Sequence, residues 1–134
     1  MDYKECVEWL YKCMPPFQMV GRSGYKPGMD SMRLFDAFLG SPHKNIKTIH
    51  VAGTNGKGST SHLIAATLQV AGYKTGLFTS PHLVDFRERI RINGKCIDQQ
   101  SVINFVEQNK SVLEDVKPSF FETTFALAAD YFVK

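Results

Sequence analysis

His50-Val51-Ala52-Gly53-Thr54-Asn55-Gly56-Lys57-Gly58-Ser59-Thr60 is a glycine-rich turn between segments of different periodicity. Before it, Thr48 to Ala52 is rich in β-branched residues, which suits a strand. After it, Ser61 to Ala71 carries apolar residues at helical spacing. Strand, glycine turn with a lysine, then helix is the anatomy of a phosphate-binding loop. The glycines let the backbone turn sharply and aim N–H groups inward. The helix N-terminus adds positive potential at the same point. Lys57 would bring a full charge to the β- and γ-phosphates, and Ser59 and Thr60 would offer hydroxyls to a phosphate or a magnesium ion. The common pattern, Gly-x-x-x-x-Gly-Lys-Ser/Thr, does not fit, because Val51 replaces its first glycine and Gly58 follows Lys57.

The rest of the chain sets the context. Its 134 residues are 43% hydrophobic and 22% charged, an ordinary composition for one globular domain. A net charge of +3 with no basic run suits a small anionic ligand and argues against nucleic acid. No apolar run is long enough to span a bilayer, and the mixed charges of Met1 to Glu5 do not read as a secretory signal. Cys6, Cys13 and Cys96 form no Cys-x-x-Cys pair, so buried thiols in a cytoplasmic protein are expected. The four histidines lack metal-ligand spacing.

In chain order, Asp2 to Cys13 predicts an amphipathic helix stopped by Pro15-Pro16. Phe17 to Asp30 is a Gly/Pro-containing loop, long enough to suggest a role in binding. Asp30 or Ser31 is expected to cap a second helix that runs to about Leu39. Ile46 to Ala52 is the first expected strand. The helix after the glycine turn is expected to bury Leu63, Ile64, Thr67, Leu68 and Ala71 and to stop at Gly72. Lys74 to Phe78 is the second strand, which completes a βαβ unit with parallel pairing. Ligands of open α/β sheets sit beyond the carboxyl ends of such strands. That rule directs the loop Thr79 to Arg89, with Ser80, His82, Arg87 and Arg89, to the same edge as Lys57. Ile90 to Ile97 is a hairpin turning on Asn93-Gly94. Asp98 is expected to cap a helix over Gln99 to Val116, broken by Lys117-Pro118. A last helix carries Phe121, Phe125, Ala128, Ala129 and Phe132 at helical spacing up to Lys134. Two parallel strands and a hairpin are few for a doubly wound sheet, so the pattern resembles the front part of a larger α/β domain. An unfinished sheet edge would allow pairing between copies.

Ile49 to Thr60, followed by Gly76-Leu77-Phe78-Thr79-Ser80-Pro81-His82-Leu83, resembles the folylpolyglutamate synthase / dihydrofolate synthase family, which belongs with the Mur ligases. Phe86 to Gly94 and Phe120-Phe121-Glu122-Thr123-Thr124 continue the resemblance in register. It implies a three-layer α/β/α phosphate-loop fold with a mostly parallel sheet, like the Mur ligase central domain. It also implies an ATP-dependent amide ligase that adds L-glutamate to folate or dihydropteroate through an acyl phosphate. ATP and magnesium are the implied cofactors. Thr54, Asn55, Gly56, Lys57, Gly58 and Ser59 match the nucleotide loop, with Lys57 as the catalytic cation. Ser80 matches a magnesium ligand. His82, Arg87 and Arg89 match a substrate loop; Ser119, Phe120, Phe121 and Glu122 match a pteridine-binding segment, and Lys26, Pro27 and Gly28 another. The family's glutamate and histidine that complete the magnesium site, its modified lysine and its C-terminal domain have no match before Lys134. The resemblance therefore implies the N-terminal part of the ATP-binding domain, expected to be inactive alone. Two other readings stand beside it: another Mur-type ligase, or a non-catalytic nucleotide-binding fragment.

Overall fold

The computed structural model describes residues 1–16 and 28–134. The segment 17–27, which holds most of the predicted first loop with Lys26 and Pro27, lies outside the described residues. The chain divides into two units, Met1–Ile46 with Gln99–Lys134, and Lys47–Asp98.

The first unit is helical. Helix α1, Tyr3–Cys13, opens on a reciprocal cap. The Glu5 amide donates to Asp2 Oδ1 and the Asp2 amide to Glu5 Oε2, each at 2.8 Å. Helix α2, Asp30–Phe38, is preceded by Met29 and has no side-chain cap. The predicted cap at Asp30 or Ser31 is thus corrected: Asp30 is the first helical residue, where its carboxylate still complements the helix dipole. A 3₁₀ turn follows at Pro42–Asn45.

Two long helices complete this unit, α4 at Gln99–Val116 and α5 at Phe120–Val133. (Helix α3, Lys57–Val70, and the strands belong to the second unit.) Helix α4 ends where Lys117 turns to φ 51° and Pro118 cannot continue the ladder. Helix α1 packs on α4, and α2 packs on both α4 and α5. The core is Cys6, Leu10, Phe35, Val102, Phe105, Val106, Leu113, Leu127 and their neighbours. Phe35 meets Phe105 edge-on at 6.1 Å, and Tyr11 stacks on Phe120 at 5.4 Å. Burying each such side chain contributes roughly 1.5–3 kcal/mol. Of the three thiols only Cys6 is buried; Cys13 and Cys96 are exposed, which corrects the expectation for those two.

The second unit carries the glycine turn. Residues 46–52, predicted as a strand, show no strand pairing. Ile49 is 64% exposed. β-branched side chains favour extended backbone, but a strand exists only through a partner, and none pairs with this segment among the described residues. Helix α3, Lys57–Val70, begins four residues before the predicted apolar stretch. It stops at Gly72, whose φ of 95° supports a reverse turn. There the Gly72 amide reaches the Gln69 carbonyl and the Tyr73 amide the Leu68 carbonyl.

Strands β1 (Gly76–Phe78), β2 (Ile90–Ile92) and β3 (Lys95–Cys96) form a sheet in that order. The α/β class stands, but the described pairing is antiparallel throughout, where a βαβ unit predicts parallel neighbours. Gly76 faces Ile92 and Phe78 faces Ile90. The hairpin turn is the predicted one, with Asn93 at φ 49° and Gly94 at φ 80°. Helix α3 rests on β1.

Candidate functional site

The glycine turn is held by its own lysine. Lys57 Nζ donates to the Gly53 carbonyl at 2.5 Å, closing the turn from Gly53 to the first residue of α3. Gly56 precedes the helix at φ 76°, ψ 7°, and supplies no side-chain cap. An L-residue reaches that conformation only with strain. The first intrahelical bond runs from the Thr60 amide to the Gly56 carbonyl at 3.0 Å, so the amides of Lys57, Gly58 and Ser59 precede the ladder. Thr54, Asn55, Gly56, Lys57, Gly58 and Ser59 are all exposed. Methyl groups added at Gly53, Gly56 or Gly58 would meet nothing within 4 Å. The turn is therefore an open cradle of N–H groups with one cation folded across it, suited to a phosphate chain.

The second predicted loop follows β1. Its ends are joined by the Thr79 amide donating to the Arg89 carbonyl at 3.0 Å. Ser80 is exposed and joined to Pro81 by a cis peptide. A 3₁₀ turn at Phe86–Arg89 opens on a reciprocal cap between Asp85 and Glu88. Glu88 Oε2 accepts the Val84 amide at 3.0 Å and the Asp85 amide at 2.6 Å, while Oε1 accepts the Leu83 amide at 3.0 Å. These three bonds, Asp85's foremost, hold the Glu88 carboxyl below its ordinary range. Leu83 and Val84 are displayed at 90% and 91% exposure on this clamped backbone.

The two predicted arginines differ. Arg87 lies against Asp85, donating from Nε at 3.1 Å and from Nη2 at 2.9 Å to Oδ2. Arg89 is only 3% exposed and donates from Nε to His82 Nδ1 at 2.7 Å. Burial first, and the Arg89 charge second, push the His82 pKa down. His82 is half-buried, with Phe86 edge-on at 6.2 Å.

The predicted pteridine segment lies in the helical unit, at the start of α5. There the Glu122 amide donates to Ser119 Oγ at 3.1 Å and the Ser119 amide to Glu122 Oε2 at 2.7 Å. Phe120 is buried on Tyr11, so among these residues Phe121, 55% exposed, is the aromatic surface. Gly28 is exposed at φ 84°. Sequence reasoning missed Asp85 and Glu88 as organisers of the second loop. The signal was present, because Asp-x-x-Glu before a turn is a capping-box pattern.

Among the described residues no group of three or more His, Cys, Asp or Glu could hold a metal. Exposed hydroxyls near the glycine turn and in the second loop include those of Ser59, Thr60 and Ser80, beside the Asp85 and Glu88 carboxylates already engaged in the loop. That set does not make an all-protein cage. It fits a magnesium ion that arrives on a nucleotide and keeps most of its waters. Among the described residues no helix is long and apolar enough to cross a membrane.

No protein-family model matches the chain. It is 38% identical to the dihydrofolate synthase/folylpolyglutamate synthase of Bacillus subtilis, over 98% of this chain and 30% of that protein. It superposes on the folylpolyglutamate synthase of Thermotoga maritima with a TM-score of 0.84 at 36% identity, covering 98% of this chain and 30% of that one. A solved complex of FPGS with AMPPCP and folate gives a TM-score of 0.83 at 32% identity, covering 98% and 32%. The chain thus spans less than a third of the length of these relatives.

Proposed function

The chain belongs to the folylpolyglutamate synthase / dihydrofolate synthase family over the part of those proteins that it spans, and on that premise we propose that it carries the phosphate loop and part of the substrate surface of an ATP-dependent glutamate ligase. On this reading its 134 residues would form the N-terminal part of the ATP-binding domain. The observation that carries this proposal is Lys57, folded onto the Gly53 carbonyl across the uncapped N-terminus of α3.

ATP would lie with its phosphates against the amides of residues 54–59. Lys57 would exchange the Gly53 carbonyl for phosphate oxygens, a stronger charge-assisted pair. The γ-phosphorus would form a bond to a carboxylate oxygen of folate or dihydropteroate as its bond to the ADP oxygen breaks. The Lys57 charge stabilises the negative charge that shifts onto that leaving oxygen. The glutamate amine would then attack the acyl phosphate carbon and expel inorganic phosphate, leaving an amide. Ser80, with Ser59 and Thr60, supplies hydroxyls for a magnesium ion, which would neutralise phosphate charge. Phe121 offers an apolar face of the kind a flat pteridine stacks on.

Calorimetric titration of the purified chain with ATP and magnesium tests the loop. Lys57→Ala is expected to weaken binding by about 10- to 100-fold, from the roughly 1.5–3 kcal/mol of a charged hydrogen bond. Because Lys57 is exposed, the thermal midpoint of the free chain should stay put. Equal affinity in the mutant would remove Lys57 from the site.

A further inference from the structure

We infer that the groove between α3 and the β1–β2 pair is a second anion site, which takes a small oxyanion of phosphate or carboxylate type apart from the glycine turn. Two local periodicities build it. His62, Ala65, Ala66 and Gln69 stand at i, i+3, i+4 and i+7 on α3 and so share one face. Thr75 and Leu77 share one face of the segment around β1, and Arg91 stands directly across from Leu77 on β2. Where these faces meet, the two alanines are too short to fill the space, and a cavity of about 100 Å³ remains. A single water needs roughly 10–15 Å³, so the space takes a polyatomic group. Residues 65 and 66 lie about 12–14 Å along the helix from Lys57, at 1.5 Å per residue. The inference therefore stands apart from the proposed function.

The lining selects the sign of the charge. Arg91 is half-buried, and its Nε donates to the Glu88 carbonyl at 3.3 Å, which holds the guanidinium in place. Among the described residues its two terminal nitrogens have no hydrogen-bond partner. A guanidinium fork matches the edge of a carboxylate or a phosphate. The His62 ring and the Gln69 amide bring further N–H donors, likewise unpaired among the described residues, none of which places a carboxylate on the cavity wall. The strand side is fixed: the Thr75 amide donates to Asn93 Oδ1 and the Asn93 amide to the Thr75 carbonyl, each at 2.9 Å. A methyl at Gly94 would lie 3.8 Å from Gln69 Oε1, so the hairpin turn and the helix approach each other at one end of the groove. The second unit as a whole holds seven Lys and Arg against three Asp and Glu, a net +4 in a chain of net +3. By contrast, the cavity between α4 and α5 already contains its own ion pair, Lys134 with Asp130 at 2.5 Å.

Titration of the 134-residue chain with inorganic phosphate, and separately with acetate, followed by nitrogen-15 NMR, tests the site. Saturable shifts are expected at the Arg91 guanidinium, the Gln69 side-chain amide and the Thr75 backbone amide with at least one of the two, and the anion that saturates identifies the source. Shifts absent for both, or linear and matched by sodium chloride at equal ionic strength, overturn the inference. Arg91→Met should weaken binding by about tenfold or more; unchanged affinity overturns it. Because that change also removes the tie to Glu88, Ala66→Glu and Ala66→Gln, at an exposed position of α3, provide a second comparison with side chains of nearly equal size. Ala66→Glu should abolish binding by placing a negative charge at the groove. Ala66→Gln should keep the affinity within about twofold. Equal affinity in these two variants overturns the charge basis of the site. Lys57→Ala should leave the shifts in place; their loss there would assign the anion to the glycine turn and overturn the second site. If Lys57→Ala keeps both these shifts and its ATP affinity, the nucleotide reading alone fails and the groove stands.

Discussion

Helices α3 and α5 are both 14 residues long, yet α5 buries seven side chains and α3 buries none. Their N-termini differ in the same sense. Helix α5 closes its first turn with Ser119 and Glu122, whereas α3 starts at Gly56 with no side-chain cap. One helix satisfies its own end and is anchored by a core. The other leaves its first amides without a side-chain cap. Leaving a helix end uncapped has a stability cost, and here that cost falls at the position where phosphate would bind.

Four substitutions would break or sharpen this contrast. Leu127→Ala removes a side chain that is 2% exposed on α5. It should lower unfolding stability by about 2–5 kcal/mol in urea titration. A loss below 1 kcal/mol would mean that α5 is not part of a packed core. Gly56→Ala places a methyl in open space, so its effect is purely conformational. The φ of 76° should make it cost roughly 1–2 kcal/mol, read as a lowered thermal midpoint. Gly58 has no left-handed φ, so Gly58→Ala serves as the control; the same penalty there would point to sterics. Ser119→Ala removes the α5 cap and should cost about 1 kcal/mol. Faster amide exchange at Glu122, with α3 untouched, would confirm that the loss is local. Leu63→Ala, on a side chain 70% exposed in α3, should change stability by less than about 0.5 kcal/mol. A larger loss would show that α3 is packed against something in solution.

What was legible from the chain is uneven in an informative way. The Asn93-Gly94 hairpin and the helix Gln99–Val116 appear where predicted. So do the stops at Pro15-Pro16, Gly72 and Lys117-Pro118. All of these depend on residues within a few positions of one another: a turn's φ, an apolar stripe, a missing amide. The strand over 46–52 and the buried face of α3 were not realised among the described residues, because each needs a partner distant in sequence. In the second loop, residue types identified the polar groups but not their division of labour. Arg87 and Arg89 look equivalent in sequence. One pairs beside Asp85 at the surface, and the other is buried behind His82.

The sequence by itself determined the glycine turn, its lysine and the helix that follows, since backbone conformation at Gly56 and helix nucleation at Lys57 are local properties. It determined the family as well, through the order of motifs from Ile49 to Leu83. Only the tertiary structure decided that Lys57 rests on Gly53, that Glu88 clamps the second loop and that Arg89 holds His82. Hydrogen-bond partnership and burial are properties of the folded arrangement. Residue type tells what a side chain can donate or accept, and the packed backbone selects which partner it meets.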